Sequence, residues 1–151
     1  MRDITDSILT ARQWQIIGLR SEGKSTREIA ALIGTGEQNV LVLENRARRK
    51  IQRARNTLEI IDRMNSAATV LIEGGTHLLD AAKKVLDESD QAGVKLSGNV
   101  VDLMSAIRAS CHDIIDNAVL TQSTAIYVDR DGKYSIHKFT ERHLKGKREI
   151  P

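Results

Sequence analysis

The chain has 151 residues, of which 40% are hydrophobic and 28% are charged, and its formal net charge is +3. This composition is ordinary for a soluble globular protein of one or two small domains, and no apolar run approaches the length of a membrane-spanning helix. A single cysteine, Cys111, excludes an internal disulfide and, with an N-terminus that lacks the apolar centre of a signal peptide, predicts a cytoplasmic protein with no membrane partner.

The charge is distributed unevenly along the chain. Residues 1–63 carry 12 Lys or Arg against 8 Asp or Glu, residues 64–126 carry 4 against 8, and residues 127–151 carry 7 against 4. Six cations of the first region fall within ten residues: Arg46, Arg48, Arg49, Lys50, Arg53 and Arg55. A basic block beside an acidic middle region indicates one anion-binding part and one part with another role.

Three capping boxes within the first 38 residues predict three helix starts. In a capping box, a hydroxyl at the N-cap accepts a hydrogen bond from a first-turn N–H, and a Glu or Gln three residues on bonds back to the cap. The pairs are Thr10 with Gln13, Ser25 with Glu28, and Thr35 with Gln38. Their spacing predicts helices over residues 11–22 and 26–33, a tight turn at Gly34, and then a third helix. This order is the helix-turn-helix plan, in which the last helix enters the major groove of DNA.

The apolar stripes of these helices indicate how they pack. On the first helix, Ile16 and Ile17 are the predicted core pair, although Gln13 and Arg20 fall on the same side. On the third helix, apolar residues recur at spacings of three or four: Val40, Leu43, Ala47, Ile51, Ala54, Leu58 and Ile61. We expect the first half of this seam to pack on the first two helices. The second half, from Ile51 onward, needs another partner, such as the second domain or a symmetry mate.

The opposite face of the third helix is predicted to read DNA bases. Its residues are Gln38, Leu41, Val42, Asn45 and Arg49. Gln and Asn can pair with adenine and Arg with guanine, while Val or Leu can contact a thymine methyl group. Because Gln38 also closes a predicted capping box, we rank Asn45 and Arg49 above it. The predicted phosphate contacts are N-cap, first-turn and flanking side chains: Thr10, Arg12, Ser25, Thr26, Arg27, Thr35, Arg46, Arg48 and Arg53.

Several short stretches point to a known family. They are Leu9-Thr-Ala-Arg-Gln13, Glu28-Ile-Ala30, Leu32-Ile-Gly-Thr35, Asn39-Val40 and Ala54-Arg-Asn-Thr-Leu58. Together they resemble archaeal Tfx-type transcriptional regulators, and the first four also resemble the promoter-reading domain of sigma factors. The second half, with Gly75-Thr76 and Asp131-Gly132, is similar to the C-terminal domain of that family. Gly36 departs from the family, which usually has Ser there. The resemblance implies sequence-specific control of transcription.

The residues after Asn65 predict a small α+β unit. The predicted elements are a strand at 68–73, a helix capped by Thr76, a brief strand at 94–96, a helix from Asn99 whose apolar set runs to Ala118, and a hairpin of strands 125–128 and 134–136. Residues from His137 onward are interpreted as a basic tail.

This region offers little catalytic chemistry. Cys111, His112 and Asp113 are adjacent, so on a helix their side chains diverge by about 100° and cannot face one substrate together. His112 and Asp116 could share a metal ion, but two ligands without a third form a weak site. We therefore expect no catalytic residue, no metal site and no cofactor. An enzyme built around His112 and Asp116 is the least favoured alternative.

The sequence thus predicts an α+β protein with three regions. Residues 1–63 form a tri-helical helix-turn-helix domain with an elongated recognition helix, residues 64–138 form a small α+β domain for dimerisation or effector sensing, and residues 139–151 form a basic tail. The predicted function is a sequence-specific transcriptional regulator that binds double-stranded DNA as a homodimer, with an unidentified small effector as a further candidate partner. The alternative is a small-ligand sensor or protein-interaction module with little specific DNA binding.

Overall fold

A computed structural model describes residues 5–139 of the chain. The elements in chain order are α1 (Ala11–Ser21), α2 (Thr26–Ile33), α3 (Glu37–Asn65), β1 (Ser66–Ile72), α4 (Leu78–Gln91), α5 (Val100–Ser110), a 3₁₀ turn (His112–Ile114), β2 (Ile115–Asp116), β3 (Val119–Leu120), β4 (Thr124–Asp129) and β5 (Tyr134–Lys138). Helices and antiparallel strands confirm the predicted α+β class. The described chain divides after Leu58 into two compact units.

The first two capping boxes form as predicted and set the starts of α1 and α2. The Thr10 hydroxyl accepts from the N–H of Gln13 at 3.2 Å, and the Gln13 side chain accepts from the N–H of Thr10 at 3.1 Å. Ser25 and Glu28 make the same pair of bonds at the start of α2. Local chemistry alone places both helix starts.

The third predicted capping box, Thr35 with Gln38, is wrong by one residue. Helix α3 begins at Glu37, which makes Gly36 its N-cap, and the N–H of Asn39 donates to the Gly36 carbonyl at 3.1 Å. Thr35 cannot close a box because its own N–H already donates to Ala30 at the end of α2, at 3.0 Å. Its hydroxyl accepts instead from the Asn39 side chain at 2.9 Å. The short turn thus uses Thr35 to end one helix rather than to begin the next.

The first unit has a small core between its three helices. The buried members are Ile16, Ile29, Ala30, Ile33 and Val40, with Leu19 and Leu43 packed against them. Ile17, expected as the second half of the α1 core pair, is only half-buried. The seam of α3 is buried at Val40 and Ala47, whereas Leu58 and Ile61 further along are 61% and 46% exposed.

The second unit is built on an antiparallel sheet with strand order β1-β4-β5. One face of this sheet packs on α4 and α5. The core residues include Val70, Ile72, Leu78, Ala82, Val85, Leu103, Ile107, Cys111, Ile126 and Val128. On the other face, the Tyr127 hydroxyl donates to Glu59 at 3.1 Å, and His137 bonds to Asp62 at 3.0 Å. These two contacts attach the last turns of α3 to the sheet.

Several predicted elements of the second unit differ from the structure. Residues 94–96 form no strand; Val94 and Leu96 are buried within a loop. The helix from Asn99 ends at Ser110, because Cys111, with φ of −122°, leaves the helical conformation. Further on, Asn117 and Ala118 have φ of 47° and 64° and turn the chain between β2 and β3. An apolar pattern indicates which residues are buried, not their backbone conformation. After Ser110, apolar residues remain buried although the helix has ended.

The remaining boundary differences lie at a cap and at the last strand. His77, not Thr76, is the N-cap of α4, and its Nδ1 accepts from the N–H of Leu79 at 3.2 Å. Strand β5 includes His137 and Lys138, which were assigned to the basic tail, because His137 pairs with Ala125 of β4. Residues 140–151 of the predicted tail lie outside the described residues.

The predicted hairpin between β4 and β5 is confirmed, and Gly132 explains its tight turn. Gly132 has φ of +78°, which is strained for any residue with a side chain, and a Cβ there would clash with the carbonyl oxygen of Lys95. The Gly132 carbonyl in turn accepts from Ser97 at 3.0 Å. The turn therefore needs glycine both for its conformation and for its contact with the 94–98 loop.

Candidate nucleic-acid interface

The predicted base-reading residues share the exposed face of α3. Gln38, Leu41, Val42, Asn45 and Arg49 are all exposed. At about 100° per residue, this face is opposite the buried seam. Leu41 and Val42 keep 42% and 38% of their surface exposed, and large apolar side chains on a polar helix face are typical of a contact surface.

The polar members of this face are available to a ligand. Within residues 5–139, the side chains of Gln38, Asn45 and Arg49 make no hydrogen bond or ion pair. Gln38 is not engaged in a capping box, because Gly36 rather than Thr35 is the N-cap. The reason for ranking Gln38 below Asn45 and Arg49 therefore disappears. All three side chains have the donor and acceptor groups that base edges require.

The six cations of the basic block have different environments. Lys50 is a structural residue: its Nζ donates to the Ile8 carbonyl at 2.9 Å and to Gln13 Oε1 at 3.0 Å. Arg48 is bonded to Glu44. The others, Arg46, Arg49, Arg53 and Arg55, have no ion pair within the part of the chain that the structure describes. The basic block thus contributes both to folding and to an exposed positive surface.

A buried carboxylate lies on the other side of the same helix. Glu44 is 6% exposed and accepts from two arginines. Arg20 bonds its Oε1 through Nε at 3.2 Å and its Oε2 through Nη2 at 2.8 Å, and Arg48 bonds Oε1 through Nε at 3.1 Å and Nη2 at 2.7 Å. The hydrogen bond from Arg20 is the largest of the effects that hold the pKa of Glu44 below its ordinary value. Arg20 also donates to Thr26 and to the Lys24 carbonyl.

Several predicted phosphate ligands are occupied inside the first unit. The Arg12 guanidinium donates to the Ile33 carbonyl at 2.7 Å, the Thr26 hydroxyl accepts from Arg20, and the Thr10 and Ser25 hydroxyls accept from their own first turns. The Glu28 carboxylate also lies at the start of α2, where hydrogen bonds with Ser25 lower its pKa. A negative charge there opposes anion binding at that N-terminus.

The remaining predicted phosphate ligands have different surroundings. Thr35 is bonded to Asn39, while Arg27, Arg46 and Arg53 are exposed and have no internal partner among the described residues. The structure therefore places the predicted base-reading residues on one face of α3, but it does not leave all the predicted phosphate ligands without internal bonds.

Sequence reasoning missed the Arg20–Glu44 and Gln13–Lys50 pairs. One signal was visible: Gln13 and Arg20 interrupt the apolar side of α1. Polar side chains on a buried stripe require polar partners. The partners lie on α3, and only the packing of the two helices shows which residues they are.

The groups considered for catalysis do not form a joint site. Cys111 is buried in the second core, and burial raises the pKa of its thiol. Asp113 pairs with Lys138, while His112 and Asp116 are exposed. Among residues 5–139, no group of three His, Cys, Asp or Glu side chains is arranged to hold a metal ion. No helix in the same range is long and apolar enough to cross a membrane.

The second unit has two adjacent clefts at the end of α3 and the β4–β5 turn. Their volumes are about 200 and 440 Å³, and both are lined by Asn65 and Asp129. The remaining lining residues are predominantly polar or charged.

Comparison with known proteins gives the family. A family model described as "DNA_binding protein, TFX, C-term" matches residues 54–136. The chain belongs to the Tfx family. A relative named "DNA-binding protein Tfx", from Methanothermobacter thermautotrophicus, is 31% identical over 127 residues, which cover 84% of this chain and 92% of that protein.

Other relatives also show similarity over most of the chain. A protein of Methanocaldococcus jannaschii, named "Putative transcriptional regulatory protein", is 29% identical over 133 residues, or 88% of this chain and 97% of its own length. The Tfx protein of Methanothermobacter marburgensis is 31% identical over 127 residues. The similarity therefore spans both compact units, and the resemblance inferred from the sequence is confirmed.

Proposed function

We propose that this protein is a transcriptional regulator that binds specific sites in double-stranded DNA by inserting the first half of α3 into the major groove. The observation that carries the proposal is the exposed face of α3, where Gln38, Asn45 and Arg49 have no internal partner among the described residues. Membership of a family of DNA-binding proteins supports the same conclusion.

Base and phosphate contacts have separate roles in this proposal. Asn45 and Gln38 can each bond an adenine edge, Arg49 can bond guanine, and Leu41 and Val42 can pack on thymine methyl groups. Arg46 and Arg53 flank this face, where they would neutralise phosphates without reading sequence. On the other flank, Arg48 would bind a phosphate with the N–H donors that its two bonds to Glu44 leave over. Thr10, Arg12, Ser25 and Thr26 are weaker candidates because each has an internal bond.

The proposal also assigns a role to each region of the chain. In the proposal, residues 1–63 bind DNA, residues 64–138 serve dimerisation or effector sensing, and residues 139–151 form a basic tail. The DNA partner favours a cytoplasmic location. Binding of a small effector stays a prediction. It can be tested by titrating the protein with a metabolite library and following the chemical shifts of residues that line the clefts at Asn65 and Asp129.

We also propose that the regulator is a homodimer. Ala47, Ile51, Ala54, Leu58 and Ile61 follow each other at alternating spacings of four and three residues, a pattern typical of helices that pair. Pairing with a second copy would remove the exposed part of this seam from water. Leu58 and Leu32 are both 61% exposed, so they form a matched pair for a test. We expect Leu58→Glu to be monomeric by sedimentation and Leu32→Glu to remain a dimer; a monomeric wild-type protein at concentrations that saturate DNA contradicts the proposal.

The decisive test is a DNA titration over a range of salt concentrations. Duplexes enriched from a random library by the wild-type protein serve as the specific ligand, and unselected duplexes serve as the non-specific one. We expect tight, salt-dependent binding of the selected duplexes, with a logarithmic slope of about −0.9 for each phosphate neutralised. Arg49→Ala should weaken specific binding by about 1–3 kcal/mol, which corresponds to a loss of affinity between about fivefold and about 150-fold.

The matched control is Arg108→Ala, which removes an exposed arginine of α5 in the second unit. It should bind the selected duplexes like the wild-type protein. A salt slope near zero, failure to enrich any sequence, or equal behaviour of the Arg49 and Arg108 variants contradicts the proposed function. Equal affinity for selected and unselected duplexes favours the alternative, a sensor or interaction module with little specific DNA binding.

A further inference from the structure

The Glu44 carboxylate has a position that its role in packing does not fully explain. It lies on the buried side of α3, directly before Asn45 in the chain and one turn before Arg48. Burying a carboxylate is costly unless charged donors compensate it. One arginine would do this, and Arg20 already bonds both carboxylate oxygens. The second arginine, Arg48, is therefore the unexplained part of the cluster.

Arg20 makes the carboxylate a rigid acceptor. Its guanidinium contacts Glu44 Oε1 and Oε2, the Lys24 carbonyl at 2.9 Å and the Thr26 hydroxyl at 2.9 Å. These bonds connect α1, the following turn, the first residue of α2 and the first third of α3. Glu44 therefore has little freedom to follow a moving partner, so any group bonded to it is held in one orientation.

Arg48 is held in this way while its side chain still reaches solvent. Its Nε and Nη2 both bond Glu44 Oε1, and the side chain stays 59% exposed. A guanidinium has five N–H donors, so two bonds to Glu44 leave three for another ligand. A planar guanidinium with one edge fixed and donors remaining is suited to a phosphate oxygen.

We propose that Glu44 is a positioning residue for DNA binding, which orients the Arg48 guanidinium toward a backbone phosphate at the edge of the major groove. The proposal rests on the proposed function, in which the exposed face of α3 enters that groove. Ordering a long side chain on binding is costly. Glu44 and Arg20 would order the Arg48 side chain during folding. No further ordering cost would then arise when Arg48 binds the phosphate. Arg46 and Arg53, without internal partners in the described chain, lack this preorganisation.

A double-mutant cycle tests the link between Glu44 and Arg48. The full-length chain is measured at a temperature where each variant is folded by circular dichroism, with the selected duplexes as ligand. Glu44→Met removes the acceptor and should weaken binding about fivefold. Arg48→Ala should weaken it about tenfold. In the Arg48→Ala background, Glu44→Met should change the affinity less than about twofold, because no guanidinium is left to orient.

Glu37→Met controls for the loss of a negative charge, since Glu37 is an exposed acid in the first turn of the same helix. It should bind DNA as tightly as the wild-type protein or more tightly. The inference is overturned if Glu44→Met also binds as tightly as the wild type, or if its loss adds in full to that of Arg48→Ala, which is the result of a structural role alone.

A second pair of variants tests the inference if Glu44→Met does not fold. Lysine keeps the charge of arginine but cannot bond Glu44 and a phosphate with one planar group. Arg48→Lys should therefore lose nearly as much affinity as Arg48→Ala, while Arg46→Lys should keep most of the wild-type affinity. Equal, small losses in both lysine variants overturn the inference. If the wild-type protein itself binds no DNA, the proposed function fails instead, so the two failures are distinguishable.

Discussion

On the buried side of α3, Glu44 and Lys50 are bonded to groups of the first unit, whereas on the exposed side Gln38, Asn45 and Arg49 have no hydrogen-bond partner among the described residues. Both sides carry amides, carboxylates or cations. The difference lies in whether folding already satisfies them. Bonded polar groups stabilise the three-helix unit, while groups without a partner, and the donors that Arg48 keeps beyond its bonds to Glu44, remain for DNA. Substitutions on the two sides of α3 should therefore have different effects on stability and on DNA binding.

The buried side is tested by removing its carboxylate. We expect Glu44→Ala to lower the free energy of unfolding by about 3 kcal/mol, because it removes the buried acceptor of the charge-assisted hydrogen bonds from Arg20 and Arg48. Trp14 is the single tryptophan and lies in α1, so its fluorescence during urea unfolding reports the first unit. Glu37→Ala, at an exposed position of the same helix, should change stability by less than about 0.5 kcal/mol. Similar losses of stability in the Glu44 and Glu37 variants would contradict a special role of the buried side.

The exposed side is tested at Asn45. We expect Asn45→Ala to weaken binding of the selected duplexes by about 1–3 kcal/mol and to leave binding of unselected duplexes and the unfolding transition unchanged. Gln15→Ala, at an exposed amide of α1, is the control and should leave both affinities unchanged. Competition binding with a labelled duplex measures both. An equal loss for selected and unselected DNA would mean that Asn45 contacts the backbone rather than a base.

Acid pH should lower the stability of the first unit, because it protonates Glu44 on the buried side of α3. The pKa of Glu44 is lowered in the folded protein, chiefly by the hydrogen bond from Arg20. The unfolded chain therefore binds a proton more readily, and the stability that Glu44 contributes is present above its ordinary pKa of 4.5 and is lost as the pH falls through the lowered value. Urea unfolding followed by Trp14 across this range should show the loss. A Glu44→Gln variant should lose less over the same range; an identical pH dependence would exclude Glu44 as its source.

The smallest effect is expected where α3 begins. Gly36 is the N-cap, its φ is not in the left-handed region, and a Cβ there would meet nothing within 4 Å. Gly36→Ser would supply a capping hydroxyl and should raise the free energy of unfolding of the first unit by roughly 0.3 kcal/mol. Gly34→Ser should instead destabilise it, because Gly34 has φ of +69°. The same fluorescence assay compares both, and a destabilised Gly36→Ser protein would contradict the assigned N-cap.

Features that depend on residues close together in the sequence were predicted best. The starts of α1 and α2 were predicted because a capping box is complete within four residues. The box at Thr35 failed because the Thr35 N–H belongs to the end of α2, a competing local motif. In the second unit, the helix predicted to reach Ala118 ends at Ser110, since apolar spacing reports burial rather than backbone conformation. Residues with partners distant in sequence were the least predictable.

The candidate site shows the same limit. The angular positions of Gln38, Asn45 and Arg49 follow from helix geometry alone, and all three are exposed as predicted. The basic block, however, could not be divided from sequence into exposed and engaged cations. Lys50 bonds Gln13, 37 residues earlier, and Glu44 bonds Arg20, 24 residues earlier. Such pairs depend on how two helices cross, and no local pattern encodes that.

By itself, the sequence determined the three-helix order of the first unit, the face of α3 that meets solvent, the family, and the hairpin of the second unit. These properties depend on capping, helical periodicity and turn chemistry, which act over a few residues. The tertiary structure alone decided which polar side chains are already satisfied: Lys50 by Gln13, Arg20 and Arg48 by Glu44, and Arg12 by Ile33. The physical reason is that folding commits some donors of a charged group to internal partners and leaves the others for DNA, and those partners are chosen by packing.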